Sequence, residues 1–393
     1  MLETINVGMS GLLGYSRGLR VIANNTANIN TPGFKSSSLQ FADMFASHDP
    51  GSGGGLMKIG YGLNTAGTAL NFKQGELRQT GNGLDLAVDG QGLFTLKDAS
   101  GNLHYTRAGQ FQFSTDGVLV NRADESKVMA QHADGSIGEV SIAGLKTKEG
   151  KASTVAKFNG NVSSTGTDAT IGSVKIFDSA GGEHLLSVKL TNTNATTAGS
   201  WRVELMEGTA VIGTGQIIFA GGRTQAGSGK VSITYSPAGV PAIPIELDFS
   251  TDVTSFASGT LSTIAFASQD GYGAGALTDA SFDDKGKLVL SYSNGQKSTD
   301  GPTLSLGRFD SVDAITPIGG NQFDATDSLA WRVGVAGDGS FGSVRAGVVE
   351  ISNVDLSQEF SDLVIMQRGY QAASQVISTA NDMLQELFSM RGR

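Results

Sequence analysis

The chain has 393 residues, enough for two or three domains, because single cores rarely grow past about 250 residues. Hydrophobic residues make up 39% and charged residues 17%, which excludes a disordered acidic tail. A formal net charge of −9 with no run of Lys or Arg leaves nothing to hold a phosphate backbone, so no nucleic-acid partner is expected.

Cysteine is absent, which removes disulfides, thiolate metal sites and thiol nucleophiles together. No apolar run approaches the roughly 18 residues of a membrane span, so no membrane insertion is expected. The opening Met1-Leu2-Glu3-Thr4-Ile5-Asn6 has no basic n-region and Leu12-Leu13 is too short for an apolar h-region, so no cleaved secretory signal is visible.

From Leu2 to about Asn28, Ile5, Met9, Leu12, Leu19 and Ala23 step by three, four or seven, with Leu13 and Ile22 widening the face; this spacing predicts a helix. Pro32 stops it, and Pro32-Gly33 before Phe34 suits the centre of a type II turn. Asn24, Asn25 and Asn28 lie in the last turn, where their amides can satisfy orphan carbonyls or bond a neighbouring chain. Gly51, Gly53, Gly54 and Gly55 beside serines predict a flexible linker over 47–60.

Glycine, at 55 residues, is about twice average usage. Pairs such as Asp89-Gly90, Asp116-Gly117, Asp134-Gly135 and Asp270-Gly271 read as tight turns between short strands. Leu84, Leu86 and Val88 alternate with Asp85, Ala87 and Asp89, the pattern of a half-buried strand. Two hairpins follow, one turning at Ser100-Gly101-Asn102 between 93–97 and 103–107, the other at Asp116-Gly117 between 111–113 and 118–120.

Lys146, Lys148, Lys151 and Lys157 mark a boundary, after which 158–268 reads as a further β domain of strand-like runs such as "LLSVKLTN" and "SWRVELME". Pro237, Pro241 and Pro244 fit a connection or an edge strand better than a sheet centre. "DDKGKLVLSYSNGQK" (283–297) predicts a hairpin with an Asn-Gly turn.

At the C-terminal end Leu356, Leu363, Met366, Tyr370, Ala373, Ile377, Ala380, Leu384 and Leu387 form a coiled-coil seam, broken where Glu359 takes a seam position. Asn353 or Asp355 would cap it. Ala373 and Ala380 let a partner helix approach closely, while Gln367, Arg368, Gln371 and Ser374 cover much of the other face. The two terminal helices either pair as an ordinary terminal hairpin or pair and also pack on copies of themselves.

Nothing nominates a catalytic, metal or cofactor-binding residue, and no enzyme is expected. His48, His104, His132 and His184 are scattered, with no pair at helical ligand spacing. Neither a Gly-x-Ser-x-Gly elbow nor a phosphate-binding loop is present. Asp283-Asp284 lacks the alternating oxygens and closing glutamate of a calcium loop.

"ANNTANINTPGFK" (23–35), "SNVDLSQEF" (352–360) and "QRGYQAASQVISTANDML" (367–384) resemble the terminal signatures of the bacterial flagellar rod and hook proteins. "QGELRQTGNGLDLAVDGQGLFTL" (74–96) and "YTRAGQFQFSTDGVLVN" (105–121) resemble the internal motifs of the same family. Thr26 and Leu93 depart from its usual residues at core-type positions. The long insert resembles hook members rather than the shorter rod members.

The resemblance implies a mostly β fold with α-helical termini, nested and multidomain. The terminal helices would pair as a coiled coil, and the second of two β domains would be inserted into the first. Residues 1–70 and 356–393 would form the helical inner tube with its linker, 71–146 and 276–355 a discontinuous middle β domain, and 147–275 the inserted outer domain.

It implies a structural subunit that self-assembles into a hollow, flexible, curved tube transmitting torque from rod to filament. The expected partners are copies of itself, rod proteins at the proximal end, hook-cap and hook-filament junction proteins at the distal end, and the flagellar type III export apparatus. The location would be the extracellular hook, reached without a cleaved signal peptide. A distal-rod or hook-associated protein is the nearer alternative, and a secreted β-rich adhesin or polysaccharide-acting protein the distant one.

Overall fold

A computed structural model describes residues 2–44, 46–50, 56–60, 62–311, 314–326 and 330–391. The chain divides into two compact units. One comprises Met1–Ala143, Ala280–Val289 and Thr299–Arg393; the other comprises Gly144–Asp279 and Leu290–Ser298, so it is inserted in sequence into the first.

The first unit opens with helix α1 (Leu2–Ala27) and closes with helix α2 (Leu356–Arg391), which pack side by side. Asp355 caps α2: its Oδ1 accepts from Ser357 N at 2.8 Å and Gln358 N at 3.3 Å. Asn353 instead donates to the carbonyls of Asn71 and Lys73 and accepts from Ser36 N, tying the approach to α2 onto the strand region.

At the end of α1 Asn28 Nδ2 donates to the carbonyl of Asn24 at 2.9 Å, satisfying one of the helix's orphan acceptors. The predicted turn follows: Phe34 N donates to Thr31 O at 3.2 Å, with Gly33 at φ 71° in the position that favours glycine. Beyond it, Ser37–Asp43 pairs antiparallel with Leu63–Leu70, and both lie against α1. Ala46–Pro50 and Leu56–Gly60 continue as a paired hairpin, which corrects the reading of 47–60 as a flexible linker. Backbone pairing replaces free coil there; Gly51, Gly53, Gly54 and Gly55 lie outside the described residues.

Among the described residues the rest of the unit is built on a ten-stranded sheet with both predicted hairpins in it. Leu93–Lys97 pairs with Leu103–Thr106, and Phe111–Phe113 with Leu119–Asn121. The returning chain completes the sheet, because Thr303–Phe309 pairs with Leu93–Lys97 and with Trp331–Val335. Leu86–Asp89 pairs with Ser343–Ala346, and Leu77–Gln79 with Val348–Glu350. Leu86, Ala87, Val88 and also Asp85 are buried, so this strand is covered on both faces rather than one; Asp85 is kept by the Arg122 guanidinium at 3.1 Å.

One core cluster stacks Tyr105 on Trp331, with ring centroids 4.1 Å apart, beside Leu93. Leu93 is thus core as expected, and the other departure, Thr26, bonds the Ile22 carbonyl from within α1. Asp283 is a turn residue whose Oδ1 accepts from Lys285 N and Lys287 N.

The second unit holds a nine-stranded, mostly antiparallel sheet. Its strands Glu183–Asn192, Ser200–Glu207, Lys230–Tyr235 and Ile243–Thr254 alternate buried and outward residues. The inward residues build a core around Trp201, with Phe158 stacked on Phe249 at 4.5 Å. Pro244 lies inside Ile243–Thr254 opposite Thr234, while the parallel partner on the other flank begins only at Glu246. The missing N–H of Pro244 therefore falls where that flank has no ladder partner.

Candidate functional site

The seam between α1 and α2 is the candidate site. Leu363, Met366, Ala373, Ile377 and Leu384 are half-buried along it and Ala380 is buried. Leu356, Tyr370 and Leu387 are exposed, which corrects their assignment to the seam; Gly369 takes the place of Tyr370 against Tyr15 of α1.

On α1 the seam is not the face that apolar spacing selects. Gly8, Gly11, Gly18 and Ile22 are buried, whereas Met9 and Ala23 are exposed and Ile5, Leu12 and Leu19 only half-buried. A Cβ on Gly8 would stand 2.7 Å from Ile377 Cγ1, on Gly11 3.3 Å from Ala373 Cβ, and on Gly18 2.8 Å from Met366 Sδ. The backbone of α1 thus approaches the side chains of α2 directly, because helix separation is set by the side chains at the contact. Gly14, on the neighbouring face, admits Leu63 and Phe41 of the strand pair.

Of the three asparagines, Asn24 is exposed and Asn28 half-buried. Asn25 is 2% exposed and bonds within its own chain, so it is not available to a neighbouring one. Its Nδ2 donates to Glu359 Oε1 at 2.8 Å and to Ser37 O at 2.8 Å, and its Oδ1 accepts from Ser37 N at 3.0 Å. The apparent break in the C-terminal seam is therefore a polar pair.

Pro32 and Phe34 are half-buried and Gly33 buried, and Gly33 N donates to Glu350 O at 2.8 Å. The next residue enters a cluster that sequence spacing could not reveal. Glu350, 1% exposed, accepts from Lys35 Nζ at 2.5 Å, Gly75 N at 2.8 Å and Arg107 Nη1 at 3.1 Å. Lys35 also donates to Lys73 O, and Arg107 to Val88 O and Gly90 O. Burial pushes the Lys35 amine below its ordinary value, against the pull of Glu350. This cluster fixes the elbow after α1 to the strand that leads into α2.

Away from the seam the pair leaves apolar groups in water. Gln367, Arg368, Gln371 and Ser374 are exposed as expected, but so are Phe360, Val364, Ile365, Val376, Met383, Phe388 and Met390 of α2 and Val7, Met9 and Leu13 of α1. A hollow of about 450 Å³, lined by Thr4, Ala372, Val376, Ala380 and Met383, opens beside them. Of the exposed residues, Ile365, Val376, Met383 and Met390 share one side of α2, and an exposed apolar stripe of this kind marks an interaction site. Among the described residues no helix is long and apolar enough to cross a membrane, and no cluster of three or more His, Cys, Asp or Glu is placed to hold a metal.

Terminal helices that pair with each other, in a chain whose second β unit is inserted in sequence into the first, define a nested subunit with helical ends and a β middle, and four family models match along it in sequence order. They are flagellar basal body rod protein over 5–35, flagellar hook protein FlgE/F/G D1 domain over 87–163, flagellar basal body protein FlaE D2 domain over 145–272, and flagellar basal body rod FlgEFG protein C-terminal over 345–390. Flagellar hook protein FlgE of Escherichia coli is 31% identical over 98% of both chains, and that of Borreliella burgdorferi 28% over the whole of both. The crystal structure of Helicobacter pylori flagellar hook protein FlgE2 shares the fold, with a TM-score of 0.51 at 14% identity over 70% of this chain and 100% of that one. The chain belongs to the flagellar hook protein family and is a structural subunit of the flagellar hook.

Proposed function

We propose that copies of this chain polymerise through their terminal helices into the hollow, curved and flexible tube that transmits torque from rod to filament. The observation that carries this reading is the two-sided apolar character of α2. One side packs on the glycine face of α1, and Ile365, Val376, Met383 and Met390, spaced so that they share another side of the helix, are exposed to solvent. Burying a large apolar side chain is worth about 1.5–3 kcal/mol, so this second face supplies the drive for helix packing between subunits. The terminal helices would form the inner tube, with the half-buried Ile5, Leu12 and Leu19 available beside the seam.

The same reading has the chain exported by the flagellar type III apparatus without a cleaved signal peptide. It would meet rod proteins proximally and hook-cap and junction proteins distally, outside the cell. Removing 356–393 tests the assembly step: the β units should stay folded by circular dichroism while polymerisation is lost. Tubes formed by that truncation, seen by electron microscopy, would overturn it.

A further inference from the structure

The exposed side of α2 carries a charge pattern as well as an apolar one. Arg368, Asp382 and Glu386 are all exposed and lie on the side of the helix turned away from the seam. Arg368 and Glu386 stand eighteen positions apart, five whole turns, and so fall on one line along the helix; Asp382 sits one turn nearer. That line runs beside the stripe of Ile365, Val376, Met383 and Met390, as charged positions flank the apolar seam of a coiled coil.

None of the three forms an ion pair among the described residues. Arg368 Nη1 donates to Gln371 Oε1 at 3.2 Å, a neutral acceptor on its own helix. Arg391 and Arg393 follow in sequence, but at neither the three- nor the four-residue spacing from Asp382 or Glu386 that brings helical side chains together. Within one chain Arg368 cannot reach either acid, because they stand about 21 and 27 Å away along the helix. Each end of the line is thus the complement of the other, and only a second copy can bring the two together.

We propose that α2 helices of neighbouring copies lie side by side in the same sense, shifted by four to five turns, so that Arg368 of one meets the Asp382–Glu386 pair of the next. The proposal rests on the reading that the chain polymerises through its terminal helices. Helices in contact lie about 8–10 Å apart, a gap that an arginine and a carboxylate side chain bridge together. Unshifted copies would set Arg368 against Arg368 and acid against acid, which is repulsive. Copies turned end for end would also match Arg368 with Glu386, but that contact is isologous and closes at two. A shifted contact leaves an unmatched half at each end, and so continues.

The test is the critical concentration for polymerisation of three full-length variants, with a side-chain-resolution cryo-electron-microscopy map of the unmodified tube. The variants are Arg368→Glu, Asp382→Lys with Glu386→Lys, and all three changes combined. Each reversal alone should raise the critical concentration roughly fivefold, as expected when exposed ion pairs are lost. The combination should bring it back, with the monomer's melting temperature the same throughout. The first reversal makes the chain more acidic and the second less so, which separates the contact from net charge. In the map, neighbouring α2 helices should run in the same sense with Arg368 of one copy within hydrogen-bond distance of Asp382 or Glu386 of the next. Reversals that polymerise as the unmodified chain does, a combination no better than either reversal, or neighbouring α2 helices found unshifted or end for end would overturn the stagger alone. Failure of the unmodified chain to form tubes would overturn the polymerisation reading and the stagger with it.

Discussion

Asn25 of α1 donates its amide to Glu359 of α2 at 2.8 Å, at the point in the seam where an apolar pair would otherwise continue. Because Asn25 also takes both backbone polar groups of Ser37, it ties helix to helix and helix to strand at once. A slip of α2 by one turn would leave the Asn25 amide and the Glu359 carboxylate buried without each other, so the pair fixes register.

Burial pushes the Glu359 carboxyl above its ordinary value, Asp362 adds to that, and the bond from Asn25 opposes both. The folded state therefore binds a proton more readily than the unfolded one. The contribution of Glu359 to the stability of the helix pair should be fully present below the ordinary glutamate value of roughly 4.3 and be lost as pH rises through the elevated folded value. Glu359→Gln should flatten that slope while keeping the bond to Asn25, and Asn25→Ala should cost about 1–3 kcal/mol by leaving Ser37 and Glu359 unpaired. Helix melting by circular dichroism across this pH range reads both; a Glu359→Gln slope equal to that of the unmodified chain would contradict the assignment.

The buried ion cluster gives a larger effect. Glu350 neutralises Lys35 and Arg107 where all three are nearly inaccessible. Removing one member of such a group leaves charge stranded in the core, at a cost of about 3–5 kcal/mol. Glu350→Gln should therefore lower the denaturation midpoint of the first unit, whereas Lys35→Met, which leaves Arg107 paired with Glu350, should cost less. Equal losses in urea titrations followed by Trp331 fluorescence would mean that Glu350 serves Lys35 as much as Arg107.

Much of this arrangement is legible in the sequence, and the gaps share one cause. The seam residues Leu363, Met366, Ala373, Ile377 and Ala380, the Pro32-Gly33 turn and the hairpins at 100–102 and 116–117 all follow from local spacing or turn chemistry. The face of α1 that packs on them does not. Periodicity counted on apolar side chains passes over Gly8, Gly11 and Gly18, although their steps of three and seven are themselves a helical stripe. The Lys35–Glu350–Arg107 cluster joins residues hundreds of positions apart, which no spacing rule reaches. Its nearest sequence signal is a charged residue inside each of the motifs "TPGFK" and "YTRAGQF".

In the second unit Asp270 fastens the two ends of the insertion together. Its Oδ1 accepts from Thr154 N at 2.7 Å and Val155 N at 2.9 Å, and its Oδ2 from Thr154 Oγ1 at 2.7 Å and Lys151 Nζ at 3.2 Å. Burial alone would raise this carboxyl, but the bonds from Val155, Thr154 and Lys151 together outweigh it and hold the group well below the ordinary carboxylate range. A carboxyl depressed in the folded state contributes stability that is present above its unfolded value, roughly 3.9, and is lost as pH falls below it. Asp270→Asn should cost about 1–3 kcal/mol at neutral pH by weakening charge-assisted bonds. It should also remove part of the acid sensitivity, so that the variant and the unmodified chain converge as pH falls. Trp201 is buried in this unit and Trp331 lies in the other, so a Trp331→Phe background isolates the signal. Stability curves for the two proteins that ran parallel from neutral pH into acid would show that Asp270 does not close the insertion by its charge.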